Sequence, residues 1–151
     1  QFSPELAHEL LENEDDQEEL IEDILKTVDR RGYQGIDVDF EYIRAEDAGA
    51  YAQFLSRLRR ALISRGLPLM AALAPKTSAN QPGRLYEGID YHRIAQAVDF
   101  ALLMTYGWSI LAHTFFIFFL YVPCEVKYLL PLGGKFEIDV DMGAVHNLHM
   151  V

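Results

Sequence analysis

The sequence predicts an α/β protein in which parallel strands alternate with helices. Apolar residues recur at helical spacing in several segments, and strand-length apolar runs lie between them. Residues that begin or end helices stand at the boundaries. In order, these signals read helix, strand, helix, strand, helix, strand. Such alternation requires parallel strands joined by right-handed crossovers.

The first two elements are predicted helices. Ser3, followed by a proline, is a favourable N-cap for a short helix to about Leu11. We expect Asp15 or Asp16 to cap a second helix, which ends in a basic turn and Gly32. Its apolar residues recur at helical spacing: Leu20, Ile21, Ile24, Leu25 and Val28.

Residues 34–41 form the most informative segment of the chain. Asp37, Asp39 and Glu41 alternate with three apolar residues, so in a strand the carboxylates share one face. Neighbouring carboxylates would stand about 6.6 Å apart along the strand. Like charges this close, in a partly desolvated place, raise the pKa of at least one member. The pattern suits a general acid and a carboxylate that tunes it.

Two other interpretations fit the same alternation. The segment can be an amphipathic strand at a sheet surface, with Ile36, Val38 and Phe40 packed inward. It can also be a divalent-cation site, because hard cations take carboxylate oxygens. The spacing alone does not choose among a surface strand, a metal site and acid–base chemistry.

Two helices and two strands are predicted downstream. Residues 46–65 place Tyr51 and four further apolar residues on one helical stripe, and residues 67–74 form an apolar strand typical of burial on both faces. Asp90 caps a helix that precedes the strand 98–106. Glu41 and Tyr106 then fall at carboxyl ends of strands, where parallel barrels place catalytic groups.

Composition excludes several kinds of partner. The chain has 151 residues, with 23 acidic against 13 basic residues and a net charge of -10. Nucleic acids and anionic membranes demand basic patches, so we expect neither as a partner. Cys124 is the single cysteine, which excludes an internal disulfide and a cysteine-based zinc site. We predict no cofactor and no metal.

A long apolar stretch, residues 100–122, approaches the length of a membrane span. A span needs about 20 apolar residues. The first part of the stretch serves better as the third strand, and the rest is too short and contains His113. We therefore do not predict a membrane helix.

The acidic segment resembles the fourth barrel strand of the family-18 glycoside hydrolases, a chitinase-like group whose motif is Asp-Gly-x-Asp-x-Asp-x-Glu. Gly35, Asp37, Asp39 and Glu41 match it, and Gln34 replaces the first Asp. The Gln34 amide can still hydrogen-bond the next carboxylate.

Two further segments extend the resemblance over residues 1–108. Met104-Thr105-Tyr106 resembles the end of the family's sixth strand, and residues 69–81 resemble the fifth strand and its loop. This loop is most similar to that of the bacterial spore-cortex branch, whose members often carry a LysM module. The resemblance implies the central strands four to six of a (β/α)8 barrel, which typically needs about 250 residues. Residues 109–151 are then a divergent tail of unknown structure, and we expect open edges on the parallel strands.

The resemblance also implies an activity. The expected substrate is an N-acetylglucosamine-containing polysaccharide, either spore-cortex peptidoglycan or chitin, cleaved by a retaining mechanism in which the substrate's acetamide is the nucleophile. Glu41 would be the acid, Asp39 would orient the acetamide and Asp37 would hold Asp39. Tyr106 and Met104 would contact the substrate.

Some implications of the resemblance are less specific. Trp108 either stacks on a sugar or belongs to the core. The alternative function is that of a catalytically inactive, chitinase-like sugar-binding protein. We expect a location in the spore cortex or coat, the cell wall or the extracellular space, and little activity from these 151 residues on their own.

Overall fold

The computed structural model describes residues 3–104, 120–123 and 148–150. Within them the elements are α1 (Pro4–Glu12), α2 (Glu14–Arg31), β1 (Ile36–Val38), a 3-10 turn (Ala45–Asp47), α3 (Ala48–Ile63), β2 (Leu69–Leu73), α4 (Tyr91–Ala97), β3 (Phe100–Leu103), β4 (Leu120–Pro123) and β5 (Leu148–Met150). The predicted alternation of helix and strand is confirmed through β3.

The ends of the first two helices show which capping predictions hold. Ser3 caps α1, since its hydroxyl accepts the N–H of Leu6 at 3.2 Å. The predicted cap of α2 is wrong: Asn13, not Asp15 or Asp16, is the N-cap. Its side-chain oxygen accepts the backbone N–H groups of both aspartates, at 3.0 and 3.4 Å, so the two acids occupy the first turn instead.

Strands β1, β2 and β3 are parallel neighbours, as predicted. Val38 is level with Ala71, and Ala71 is level with Ala101. Strand β1 has three residues, fewer than the acidic segment suggested. Between β1 and the 3-10 turn, Tyr42 adopts a left-handed φ of 59°.

The outer edges of the parallel trio are both paired. β4 lies antiparallel to β3, and β5 lies antiparallel to β1, which gives the sheet order β4-β3-β2-β1-β5. The expectation of open edges is therefore wrong. The backbone groups that an edge strand leaves exposed pair here with two short segments for which the sequence showed no strand pattern.

The core lies between the sheet and its helices. The predicted stripe of α3 is confirmed, because all five of its side chains are fully buried: Tyr51, Phe54, Leu55, Leu58 and Leu62. Every residue of β2 is buried as well, as predicted for a strand covered on both faces. Phe40, just beyond β1, stacks on Tyr51 with ring centroids 5.6 Å apart and on Phe54 at 5.9 Å. These contacts fix the segment after β1 to α3.

At the amino ends of the strands, Asp99 joins three elements. One carboxylate oxygen accepts a hydrogen bond from the Arg59 guanidinium of α3 at 2.7 Å, and the other accepts the backbone N–H of Leu69 at 3.0 Å.

The described ranges contain no helix long and apolar enough to cross a membrane.

Candidate active site

The three carboxylates lie along and beyond the carboxyl end of β1. Asp37 is in the strand, level with Met70 of β2, while Asp39 and Glu41 follow its last residue. Burial continues to alternate through Glu41: the three carboxylates are partly exposed and the apolar residues between them are buried. One oxygen of Asp37 and one of Asp39 are closed off from solvent. Exposure therefore alternates as predicted, although only the first carboxylate, Asp37, lies within the strand.

The electrostatics of this row favour a proton on Glu41. Burial raises the pKa of the Glu41 carboxyl above its usual range, and the negative charge of Asp39 raises it further. This agrees with the expectation that crowding would raise the pKa of at least one carboxyl. A carboxylic acid with a raised pKa keeps its proton to higher pH and can donate it to a leaving oxygen.

A buried phenol lies behind the row. Burial raises the pKa of Tyr51 far above its usual range, and the charges of Asp39 and Asp37 add to the shift. The hydroxyl accordingly stays protonated at any working pH. It has no hydrogen-bond partner among the described residues.

Met104 occupies the carboxyl end of the third parallel strand. Its backbone N–H donates to the carbonyl of Leu73 at 3.0 Å, which continues the register of β3 on β2. Two strand spacings, about 10 Å, separate this end from the end of β1. Tyr106 and Trp108 lie outside the described residues, so their contacts with substrate stay predictions.

Gln34, which replaces the first Asp of the family motif, bonds back to the end of α2. Its side chain is exposed, and Nε2 donates to the carbonyl of Gly32 at 3.0 Å. This bond ties the amide to Gly32, the residue that ends α2.

The long loop after β2 lies against the segment that follows Glu41. A Cβ added to Gly88 would stand 2.1 Å from the carbonyl oxygen of Ile43, so the two backbones touch. Lys76 braces the loop, because its ammonium donates to the carbonyls of Ile89 at 2.5 Å and Ala79 at 3.2 Å. The sequence indicates the loop but not this contact, because a glycine alone does not indicate what it touches.

The loop is also fixed at its base. The Tyr91 hydroxyl donates to the carbonyl of Ala74 at 2.6 Å and accepts the backbone N–H of Lys76 at 3.0 Å. The Lys76 ammonium lies 5.6 Å from the centroid of the Tyr91 ring. Tyr91, at the end of the loop, is thus bonded to the start of the loop. This contact lies at the carboxyl end of the sheet, as Glu41 does.

Within the part of the chain that the structure describes, no group of three or more His, Cys, Asp or Glu side chains is placed to hold a metal ion.

The fold and this row define a class. Parallel strands alternating with helices, with acidic groups at the carboxyl end of a strand, are characteristic of α/β-barrel enzymes. The chain belongs to family 18 of the glycosyl hydrolases, whose sequence profile matches residues 7–114.

Known relatives are similar over the same part of the chain. A cortical fragment-lytic enzyme of Bacillus subtilis (strain 168) is 46% identical over 108 residues, which cover 72% of this chain and 25% of the relative. The crystal structure of the Bacillus megaterium QM B1551 spore cortex-lytic enzyme SleL matches with a TM-score of 0.68 at 39% identity, covering 70% of this chain and 25% of that one.

A more distant structure shares the fold. The chitinase of Chromobacterium violaceum ATCC 12472 gives a TM-score of 0.64 at 24% identity, covering 70% of this chain and 33% of that chain. The present chain spans about a quarter of the length of the cortical fragment-lytic enzyme it matches.

Proposed function

We propose that this chain carries the acid-donating part of a glycosidase that cleaves N-acetylglucosamine-containing polysaccharide, with spore-cortex peptidoglycan preferred over chitin. The single observation that supports this most strongly is the raised pKa of Glu41 at the carboxyl end of β1. The similarity to cortex-lytic enzymes supports the choice of polymer.

The proposed reaction uses the substrate's own acetamide as nucleophile and retains configuration. Glu41 donates its proton to the glycosidic oxygen as the bond from that oxygen to the anomeric carbon breaks. The acetamide oxygen bonds to the anomeric carbon in its place, giving a cyclic oxazolinium intermediate. Glu41 then takes a proton from water as the water oxygen attacks the anomeric carbon and the ring opens.

The other carboxylates have supporting roles in this proposal. Asp39 orients the acetamide and balances the positive charge of the cyclic intermediate, and Asp37 holds Asp39. Met104, Tyr106 and Trp108 contact the sugar. A location in the spore cortex or another part of the cell wall follows from the proposed substrate, and a LysM module elsewhere in the whole protein would suit it.

The catalytic test compares the native chain with the Glu41→Gln variant. Because three parallel strands form only part of a barrel, we expect little turnover from residues 1–151 alone. Residues 1–108 are therefore also grafted in place of the matching segment of the Bacillus subtilis enzyme. The graft should release fragments from cortex peptidoglycan faster than from chitin.

Glu41→Gln in the graft should lower turnover at least a hundredfold, because general acid catalysis contributes about 10²–10⁴-fold, while sugar binding persists. Binding of either polymer without cleavage, unchanged by Glu41→Gln, would instead support the inactive sugar-binding alternative. Cleavage of neither polymer by a folded graft would refute the proposed activity.

A further inference from the structure

Two loops meet at the carboxyl ends of β1 and β2, and each carries one arginine. Arg44 follows Glu41 by three residues, and Arg84 lies on the loop after β2. The loops are in direct contact, since a Cβ on Gly88 would approach the carbonyls of both Ile43 and Arg44 within 2.7 Å. The contact places both arginines at the end of the sheet that holds the candidate acid.

Neither guanidinium is neutralised by another described residue. Most other cations in the described ranges are paired: Lys26 with Asp23, Arg57 with Glu14, Arg59 with Asp99, Arg65 with Asp29 and Arg93 with Asp90. Lys76, at the start of the loop after β2, donates to two backbone carbonyls instead.

The remaining arginines without a described ion pair are Arg30, Arg31 and Arg60, which fall in the last turns of α2 and α3. Those turns lead into strands and so lie at the opposite, amino end of the sheet. Among the described residues, the cations without an ion pair that lie on loops at the carboxyl end of the sheet are therefore Arg44 and Arg84.

We propose that Arg44 and Arg84 form a binding site for a carboxylate carried by the saccharide substrate. A guanidinium presents a planar fork of donors that matches a carboxylate better than a neutral hydroxyl or acetamide does. The inference deepens the proposed function, on which it rests, by naming the substrate group that these residues select. These two cations have no ion pair among the described residues, although the chain as a whole carries a net charge of -10.

The test measures binding, so that it does not depend on turnover. The full chain carrying Glu41→Gln is titrated by calorimetry with three disaccharide-repeat oligomers of N-acetylglucosamine and N-acetylmuramic acid: one with a free lactyl carboxylate, one with that carboxyl amidated, and one with a peptide stem. Chitotetraose is the neutral reference.

We expect the free carboxylate to bind about threefold to tenfold more tightly than the amide, with the preference shrinking as salt rises, as for a partly exposed ion pair. Adding Arg44→Gln together with Arg84→Gln should abolish the preference and leave chitotetraose binding unchanged. The matched control is Arg60→Gln, an exposed arginine at the opposite end of the sheet, which should retain the preference.

A preference seen only with the stem-bearing oligomer would still support the site and would assign its carboxylate to the peptide. The inference is overturned if the chain carrying Glu41→Gln shows no preference, if it binds none of the oligomers, or if the variant that also carries both arginine substitutions keeps the preference. A retained preference without any cleavage by the graft would refute the proposed function and leave the carboxylate site standing.

Discussion

Gly88 contacts the backbone of Ile43, and Ile43 lies two residues after the candidate acid, Glu41. A Cβ on Gly88 would come within 2.4 Å of the Ile43 carbonyl carbon, nearer than any side chain can approach backbone. Both residues are buried, so neither can shift toward solvent without opening the core. The contact couples the position of the loop after β2 to the turn that follows Glu41.

The Gly88→Ala variant should therefore be severely destabilised. The new methyl group meets rigid backbone, and overpacking of this kind costs about 3 kcal/mol or more in the free energy of unfolding. Urea denaturation followed by circular dichroism measures the loss. Gly49→Ala is the matched control, because its methyl group would meet only the mobile end of Arg93.

Gly49 lies in α3, where alanine is favoured over glycine by up to about 1 kcal/mol, so the control should be neutral or slightly stabilised. Equal stability of the two variants would contradict the contact between Gly88 and Ile43.

Two tyrosines with different hydroxyl environments predict opposite effects of the same substitution. Tyr51→Phe removes a buried hydroxyl that has no partner among the described residues, and should raise the free energy of unfolding by about 1 kcal/mol. Tyr91→Phe removes a hydroxyl bonded to Ala74 and Lys76, and should lower it by about 1–2 kcal/mol. A destabilised Tyr51→Phe variant would show that its hydroxyl has a partner outside the described residues.

Lys76→Met should loosen the loop after β2. The substitution deletes the hydrogen bonds to the carbonyls of Ile89 and Ala79. Trypsin cleavage after the exposed Arg84 should become several times faster, because the loop opens more often. Lys26→Met, which removes a lysine from an exposed pair with Asp23, should leave that rate unchanged. An unaltered rate in Lys76→Met would mean that the lysine does not hold the loop.

Sequence patterns predicted the elements that repeat locally. The α3 stripe from Tyr51 to Leu62 and the doubly buried β2 follow from periodicity, which acts between near neighbours. The α2 cap was misassigned because Asn13, Asp15 and Asp16 can all cap, and only backbone geometry selects one. Strands β4 and β5 were missed, since pairing with a distant edge leaves little local signal.

The site was predicted in part for the same reason. Alternation placed Asp39 and Glu41 on one face and led to the expected rise in the pKa of one carboxyl, which is found at Glu41. The approach of Gly88 to Ile43 joins positions far apart in the chain, so no local pattern carries it. The family resemblance indicated the loop after β2. The hydrogen bonds by which Lys76 holds this loop depend on tertiary packing and were not predicted.

The pKa of Glu41 should respond to its neighbours in a defined order. Burial is the larger cause of its elevation, and the charge of Asp39 is the smaller one. In Asp39→Asn the pKa should fall, yet stay above the ordinary value for glutamate because burial persists. Nuclear magnetic resonance titration of the side-chain carboxyl carbons measures both values directly. Asp29→Asn, which alters an exposed carboxylate paired with Arg65, is the control and should leave the Glu41 pKa unchanged.

The direction of the Glu41 pKa shift also predicts how catalysis depends on pH. An acid with a raised pKa keeps its proton to higher pH, so the alkaline limb of the rate profile of an active graft should lie above the pH expected for an ordinary glutamate. The residual activity of Asp39→Asn should begin to fall at a lower pH than that of the parent. Removing the negative charge of Asp39 lowers the pKa of Glu41, so Glu41 loses its proton at lower pH. A limb that moves upward in Asp39→Asn, or moves equally in Asp29→Asn, would rule out Asp39 as the neighbour that tunes Glu41.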